Sequence, residues 1–191
     1  MDKRLAFIGG GNIAQAILSG LVPTLDNPRA IIVADPSDEQ GLRCQALGAT
    51  WTQDNPTAVT GADVVLLCVK AHQVDALLPI LPGLLGREGA VAYLGNGLGV
   101  VERLARALPG RIIAASSTHG AMRGEGSTSV WTGRGEVALG AWPAGAPVAA
   151  VEALALSLNA SGLSARVVED ARRQIWSKAL LNIAINPLCA L

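Results

Sequence analysis

Short apolar runs alternate with segments of helical periodicity along the first two thirds of the chain. The runs predict β-strands at Arg4–Gly9, Ala30–Asp35, Val64–Lys70, Ala90–Leu94 and Ile112–Ser116. Residues 64–69 are apolar without alternation, which is typical of a central parallel strand buried on both faces. The periodic segments predict helices at Asn12–Leu21, Asp38–Leu47, Val74–Leu81 and Gly99–Leu108. This alternation predicts an α/β fold with a mainly parallel sheet.

The pattern changes after residue 117. Two predicted strands joined by a glycine-containing loop, a helix and a short strand follow, at Ser127–Thr132, Glu136–Gly140, Pro147–Ala160 and Ala165–Val168. We expect the two strands beside the loop to form a β-hairpin. Residues 170–191 predict one amphipathic helix with Pro187 inside it. This helix ends on apolar residues, and we expect it to continue into a further segment.

Composition and charge narrow the class of protein. Half of the 191 residues are hydrophobic and 16% are charged, which excludes an intrinsically disordered protein. Fifteen basic residues balance fifteen acidic ones and aromatic residues make up 3%, so we expect neither a nucleic acid nor a membrane surface as partner. No apolar stretch reaches the roughly 18 residues that span a bilayer. The first residues lack the features of a signal peptide, and we expect none. We expect a cytoplasmic protein whose cysteines are reduced and buried.

A GxGxxA fingerprint lies between the first predicted strand and the first predicted helix. Its candidate cofactor-binding residues are Gly9, Gly10, Gly11, Asn12, Ile13 and Ala14. The first glycine of such a motif permits a tight turn, the second lets the backbone approach a pyrophosphate, and the small third residue allows close packing of helix on strand. The helix N-terminus then offers N–H groups to the phosphates. The motif predicts a Rossmann-type doubly wound sheet that binds a dinucleotide.

The choice between NAD(H) and NADP(H) depends on the end of the second strand. Asp35 lies there, where a carboxylate can accept hydrogen bonds from the adenine ribose hydroxyls and favour NAD. The alternative interpretation makes Asp35 a helix-capping residue in the turn at 35–38. Arg43 lies one turn into the next helix, where its side chain could contact the 2′-phosphate of NADP, so the choice of cofactor stays open.

Two polar residues follow buried strands at the sheet edge where ligands of open α/β sheets bind. Lys70 ends the strand at 64–70, and we expect its side chain to point over the crevice. Asn96 lies among glycines after the next strand. That segment is either a simple turn or a place where the backbone passes close to a nicotinamide.

The last predicted helix carries a polar stripe on an otherwise apolar surface. Lys178, Asn182 and Asn186 are spaced at i, i+4 and i+8, and therefore share one face. A solvent-exposed stripe is the simpler alternative, but apolar neighbours on the other sides favour a shared cavity. Burial would lower the pKa of Lys178 toward a value useful for proton transfer. The two carboxamides could hold a small polar substrate.

Together these motifs resemble the ketopantoate reductase (2-dehydropantoate 2-reductase) family. The segments that carry the resemblance are 70–74, 96–99, 117–121 and 176–188. It implies that a nicotinamide cofactor, normally NADPH, delivers hydride to the ketone of 2-dehydropantoate, and that the product pantoate feeds pantothenate and coenzyme A synthesis. It further implies a cofactor site at residues 9–14 with Lys70, Asn96 and Ala121, a general acid at Lys178, and substrate contacts from Asn96, Asn182 and Asn186.

The first third also resembles pyrroline-5-carboxylate reductases, through residues 6–17 and 34–37. Imine reduction is therefore an alternative function, and a catalytically silent dinucleotide-binding module is an alternative from another class. The ketopantoate reductase resemblance also implies a following α-helical substrate domain. We expect a dinucleotide-binding domain at 1–168, the first helix of the substrate domain at 169–191, a small 2-keto acid as substrate and no metal. The apolar helix face predicts either association, for which a homodimer is one form, or poor solubility.

Overall fold

The computed structural model describes residues 4–86, 88–95, 98–118, 120–123, 129–133, 135–142 and 148–189. The strands within these ranges are β1 (Leu5–Ile8), β2 (Ile32–Ala34), β3 (Thr50–Thr52), β4 (Val64–Leu67), β5 (Ala90–Tyr93), β6 (Ile112–Ser117), β7 (Gly120–Arg123), β8 (Ser129–Gly133), β9 (Val137–Trp142) and β10 (Ala165–Val167). The α-helices are α1 (Asn12–Leu21), α2 (Asp38–Ala46), α3 (Asn55–Val59), α4 (Leu81–Leu84), α5 (Val100–Ala107), α6 (Val148–Ala160) and α7 (Ala171–Cys189). Short 3₁₀ segments lie at Val22–Thr24, Pro28–Ala30 and Ala71–Ala76.

The described strands form one large, mainly parallel sheet in the order β10-β9-β6-β5-β4-β1-β2-β3. The strands from β3 to β6 in this order pair in parallel, β6 and β9 pair antiparallel, and β9 and β10 are parallel again. The chain builds outward from β1 in one direction and then returns to β4 on its other side. The strand order therefore reverses between β1 and β4, and such a reversal opens a crevice at the carboxyl ends of the strands. This confirms the expected doubly wound architecture.

Alternation along the strands divides the buried side chains between two cores, one on each face of the sheet. In β4, Val64 and Leu66 belong to the core beneath α1 and α6, whereas Val65 and Leu67 belong to the core beneath α5 and α7. All four side chains are fully buried. The prediction of a central parallel strand is confirmed, although the strand ends three residues before Lys70.

The prediction that the two strands beside the glycine-containing loop form a β-hairpin is wrong, because each of them pairs with another strand. β8 pairs antiparallel with β7 in a separate two-stranded sheet, while β9 pairs with β6 over the register Ile112↔Trp142 to Ser117↔Val137. Nearly every residue of β9 is buried. A strand buried on both faces gains more inside the large sheet, between β6 and β10, than at the edge of an exposed hairpin.

The predicted helix Val74–Leu81 is also wrong. The segment forms the 3₁₀ helix Ala71–Ala76 and, after a break, the one-turn helix α4. Pro79 explains the break, because proline lacks the backbone N–H of a helix interior and its ring clashes with the preceding turn. The short strand β3 was not predicted, since three residues carry too little periodicity to be recognised.

Gly20 in α1 allows the close approach of the turn that follows α6. A Cβ at this position would lie 1.9 Å from the carbonyl oxygen of Ser161, which is a backbone atom that cannot rotate away. We expect Gly20→Ala to lower the free energy of unfolding by about 1–3 kcal/mol, the usual cost of overpacking. Chemical denaturation measures this change directly.

Gly83→Ala is the matched control, because a Cβ at Gly83 meets no atom within 4 Å. We expect it to leave stability unchanged or slightly higher. Equal unfolding midpoints for the Gly20 and Gly83 variants would contradict the close α1–α6 packing.

Candidate functional site

The fingerprint loop begins where β1 ends, between the neighbouring strands β2 and β4. Gly9 has a φ of +96°, a left-handed backbone conformation that residues other than glycine rarely adopt. Its N–H donates to the carbonyl oxygen of Ala34 over 2.8 Å, and a Cβ would lie 2.9 Å from the carbonyl carbon of Cys68. Glycine is therefore required here by both backbone conformation and space.

Two hydrogen bonds with side chains hold the backbone of Gly10 in place. Its N–H donates to Asp35 Oδ2 over 2.7 Å, and its carbonyl oxygen accepts a hydrogen bond from Gln15 Nε2 over 2.7 Å. Gln15 is buried and also donates to Gln40 Oε1 over 2.7 Å. These bonds tie the loop to α1, to α2 and to the end of β2. The loop is therefore rigid before any ligand binds.

Gly11, in contrast, borders open space. A Cβ on Gly11 would meet no atom within 4 Å. Gly11, Asn12 and Ile13 line a cavity of about 410 Å³ that Lys70 lines from the end of β4. Beneath them Ala14 is fully buried, as the small third position of the motif predicts. The first N–H groups of a helix have no partners within the helix, so a rigid loop, a helix N-terminus and a lysine surround space that fits the pyrophosphate of a dinucleotide.

Asp35 is a structural part of the same loop. Its Oδ2 accepts from Gly10 N, and its Oδ1 accepts from Ser37 N over 2.8 Å. Ser37, not Asp35, caps α2, because its hydroxyl accepts from Gln40 N over 3.4 Å. Asp35 thus joins the fingerprint to the turn after β2. The helix-capping interpretation is wrong for Asp35 itself.

Arg43 lies one turn into α2 and pairs with Glu39. Its Nη1 atom is buried and has no hydrogen-bond partner among the described residues. Both N–H groups of this nitrogen are therefore enclosed by protein without a partner among the described residues.

A second cavity, of about 210 Å³, lies between α7 and the carboxyl ends of β5 and β6. Most of its lining is apolar. The polar side chains that line it are Tyr93, Ser116, Lys178 and Asn182. Lys178 and Asn182 come from successive turns of α7, so the predicted polar stripe faces a cavity at these two positions.

Burial in this apolar cavity lowers the pKa of Lys178 below the ordinary lysine value. The direction follows from desolvation, because an apolar environment disfavours the ammonium relative to the neutral amine. The pKa shift has the sign that the sequence predicts for a buried lysine on an apolar helix.

The structure does not test every predicted position equally. Asn96 lies outside the described residues. Ala121 lies in β7 and Asn186 in α7, but their side chains are outside the described part of the chain. Tyr93 and Ser116 were missed by the sequence analysis, because each lies near the end of a strand whose apolar pattern indicates only core packing. Tyr93 is the single tyrosine of the chain, and that rarity at a strand end was the available signal.

The two cavities meet at the carboxyl end of β5. Tyr93 and Gly95 line both of them. A ligand stretched along the fingerprint loop therefore ends beside the cavity that holds Lys178 and Asn182. This arrangement can bring the end of a long cofactor against a small polar molecule.

Other chemistry is absent from the described residues. They contain no cluster of His, Cys, Asp or Glu that could hold a metal ion. Cys44 and Cys68 are free thiols, and burial raises their pKa values to about 11 and about 12, so both stay protonated at neutral pH. In this part of the chain no helix combines the length and apolar character needed to cross a membrane.

Comparison with known proteins gives a family match over most of the chain. The model of the family described as ketopantoate reductase PanE/ApbA matches residues 6–144. A 2-dehydropantoate 2-reductase of Halobacterium salinarum is 34% identical over 141 residues, which cover 72% of this chain and 45% of that protein. A pyrroline-5-carboxylate reductase of Corynebacterium melassecola is 31% identical over 137 residues, covering 68% of this chain and 50% of that protein. The likeness to pyrroline-5-carboxylate reductases thus extends beyond the first third.

Solved structures share the fold over nearly the whole chain. A 2-dehydropantoate 2-reductase of Geobacter metallireducens matches with a TM-score of 0.77 and 23% identity, covering 98% of this chain and 65% of that one. A D-mandelate dehydrogenase in complex with NADH and anilino(oxo)acetate matches with a TM-score of 0.75 and 23% identity, covering 97% and 63%.

The chain spans about half the length of the curated relatives it matches. The family match nevertheless covers far more than half of the chain and includes the fingerprint, β4 and β5. By the match of the family model over residues 6–144, this chain belongs to the ketopantoate reductase PanE/ApbA family.

Proposed function

We propose that this chain takes part in the NAD(P)H-dependent reduction of a small 2-keto acid, with 2-dehydropantoate as the favoured substrate. The observation that carries the proposal is the wall shared by the two cavities. Tyr93 and Gly95 line both cavities, so the fingerprint cavity adjoins the cavity of Lys178 at this point. A reductase requires such contact, because hydride passes directly between cofactor and substrate.

The fingerprint would hold the cofactor through its backbone. The N–H groups at the start of α1 would bind the pyrophosphate, and the Lys70 ammonium would neutralise part of its charge. When bound, the nicotinamide supplies the hydride. The hydrogen bonds of Gly10 to Asp35 and Gln15 fix the loop beforehand, so little ordering remains to be done on binding.

Lys178 would act as the general acid. As the ketone carbon gains hydride, negative charge develops on its oxygen, and the Nζ ammonium can stabilise that charge and then donate its proton to form the hydroxyl. Burial favours this transfer, because it lowers the pKa of Lys178 and makes the ammonium a stronger acid. The Asn182 amide, one turn away on α7, would hold a second oxygen of the substrate.

NADP(H) is the cofactor we favour, and NAD(H) is the alternative. Both carboxylate oxygens of Asp35 already accept hydrogen bonds from backbone N–H groups, which weakens the argument for a ribose contact. Arg43 lies on α2, the helix that follows Asp35, and guanidinium groups suit phosphate. Family resemblance points the same way.

The second candidate is reduction of the imine of pyrroline-5-carboxylate, which the relatives of that name support. Lys178 favours a keto acid. A ketone oxygen is too weakly basic to be protonated by water beforehand and takes its proton from a nearby acid, whereas an imine nitrogen can be protonated by solvent before hydride arrives. A catalytically silent dinucleotide-binding module is the third candidate.

The remaining features fit a cytoplasmic metabolic enzyme with an additional helical domain. We propose that residues 1–168 form the dinucleotide-binding domain and that 169–191 begin the substrate domain. Trp176, Leu180 and Leu181 on α7 are each about half exposed, at 46%, 62% and 58%. Such an apolar face favours burial against further protein, including a second copy of the chain.

We expect the unmodified chain to oxidise NADPH when 2-dehydropantoate is added. Lys178→Ala should lower kcat by about 10²–10⁴-fold, the usual contribution of a general acid, and leave the Kd of NADPH within about twofold. Absorbance of the reduced nicotinamide measures the rate, and its fluorescence measures binding. NADH, assayed in parallel, tests the cofactor preference.

Arg173→Ala is the control for this experiment, because Arg173 is exposed on α7 and lines neither cavity. Full activity in Lys178→Ala would contradict its role as the acid. Cofactor binding without any reduction would support the silent module, and reduction of pyrroline-5-carboxylate alone would support the imine reductase.

The titration of Lys178 gives an independent prediction. The chain has three lysines, so ¹³C-labelled lysine yields few NMR signals. The signal that disappears in Lys178→Ala should titrate below the ordinary lysine pKa, because burial disfavours the ammonium. The rate of keto acid reduction should fall as pH rises through the same value, since the deprotonated amine cannot act as an acid. A Lys178 signal that titrates like a free lysine would rule this out.

A further inference from the structure

Tyr93 is the last residue of β5, and its side chain is part of the sheet core. The side chain is only 1% exposed and belongs to the core cluster that also contains Val65, Val91 and Val101. The same side chain lines both the fingerprint cavity and the Lys178 cavity. A polar group at the tip of a fixed ring therefore lies where cofactor and substrate would meet.

Gly95 lies directly against this tip. A Cβ at Gly95 would be 2.2 Å from the Tyr93 hydroxyl oxygen and 2.4 Å from Cζ. The end of the phenol thus occupies the space that a side chain at position 95 would need. The glycine is required by the tyrosine, and the two residues form one unit.

Arg103 is close enough to influence the phenol electrostatically. It donates to Asp75 Oδ1 over 2.8 Å and to the carbonyl oxygen of Gly99 over 3.3 Å, so it joins the Ala71–Ala76 segment to the start of α5. Burial raises the pKa of Tyr93, and the positive charge of Arg103 opposes this only in part. The hydroxyl is therefore protonated at neutral pH and can act as a hydrogen-bond donor.

We propose that Tyr93 is a specificity-determining residue whose hydroxyl donates a hydrogen bond to an oxygen of the 2-keto acid, and that Gly95 keeps the hydroxyl at the junction of the two cavities. The assignment rests on the proposed function.

A 2-keto acid carries a ketone oxygen and a carboxylate on adjacent carbons. Lys178 and Asn182 approach this ligand from α7, whereas Tyr93 approaches it from the sheet. Donors on two sides can fix both oxygen groups and so orient the ketone carbon toward the fingerprint cavity. A ligand without the second oxygen group would lose one of these hydrogen bonds, which is a basis for selection.

The test measures binding rather than turnover. 2-Dehydropantoate is titrated calorimetrically into protein saturated with NADP⁺, so no reaction occurs. We expect Tyr93→Phe, which keeps the ring and removes the hydroxyl, to raise the Kd of 2-dehydropantoate at least about tenfold, the effect of one lost hydrogen bond to an ionised group. The Kd of NADP⁺ itself should change by less than about twofold.

Gly95→Ala tests the second half of the proposal. It keeps the hydroxyl but forces it to move, and it should weaken 2-dehydropantoate binding to a similar extent. The double variant should bind no more weakly than the weaker single variant, because the same contact cannot be lost twice. Gly83→Ala, at an exposed position with open space, is the matched control and should bind as the unmodified chain does. Near-ultraviolet circular dichroism checks that each variant is folded.

Two outcomes overturn the assignment in different ways. If the unmodified chain binds 2-dehydropantoate and Tyr93→Phe binds it equally well, the role of Tyr93 is wrong and the proposed function stands. If the unmodified chain binds NADP⁺ but no 2-dehydropantoate, the proposed function and the role of Tyr93 both fail.

Discussion

The parallel pairing of β1 with β4 is the constraint on which the site depends. This pairing reverses the direction in which the sheet grows and leaves the ends of both strands facing one crevice. The fingerprint loop leaves β1 on one side of this crevice, and the segment containing Lys70 leaves β4 on the other. The next strand, β5, carries Tyr93 and Gly95 to the same edge. A shift of this register by one residue would turn every side chain of the shifted strand to the opposite face of the sheet and would disrupt both cavities.

Hydrogen bonding inside the loop complements this arrangement. Asp35 accepts from Gly10 and from Ser37, and Gln15 donates to the carbonyl oxygen of Gly10. The loop therefore uses side chains of α1 and the β2–α2 turn to hold its backbone, while the N–H groups at the helix N-terminus remain directed at the cavity. Lys178, in contrast, lies in surroundings that disfavour its charged form. Its partial burial costs free energy in the ammonium form and lowers its pKa, which would suit the proton donation that we propose.

Much of this architecture could be predicted from local sequence. The unbroken apolar run of β4 and the glycine spacing of the fingerprint each reflect a strong constraint, either burial on two faces or a backbone that no other residue can adopt. The stripe of Lys178 and Asn182 was also visible, because a helix repeats its faces regularly. The pairing of β9 with β6 was not predictable in this way, since it depends on contacts between residues far apart in the chain.

Tyr93 illustrates a different limit. Its surroundings in the sequence are those of a core strand, and its ring is indeed in the core. Only the three-dimensional structure shows that the hydroxyl ends at a cavity and fills the space beside Gly95. One residue thus contributes its ring to the core and its hydroxyl to the candidate site. A pattern of hydrophobic and polar positions cannot show such a double role.

Interligand nuclear Overhauser effects test the central claim, the meeting of the two cavities, most directly. NADP⁺ and 2-dehydropantoate are bound together to the unmodified chain, and cross-peaks between their protons are recorded. We expect cross-peaks between the nicotinamide ring protons and the methyl protons of 2-dehydropantoate, because the two cavities adjoin at Tyr93 and Gly95. Simultaneous binding of the two ligands without such cross-peaks, or displacement of one ligand by the other, would contradict it.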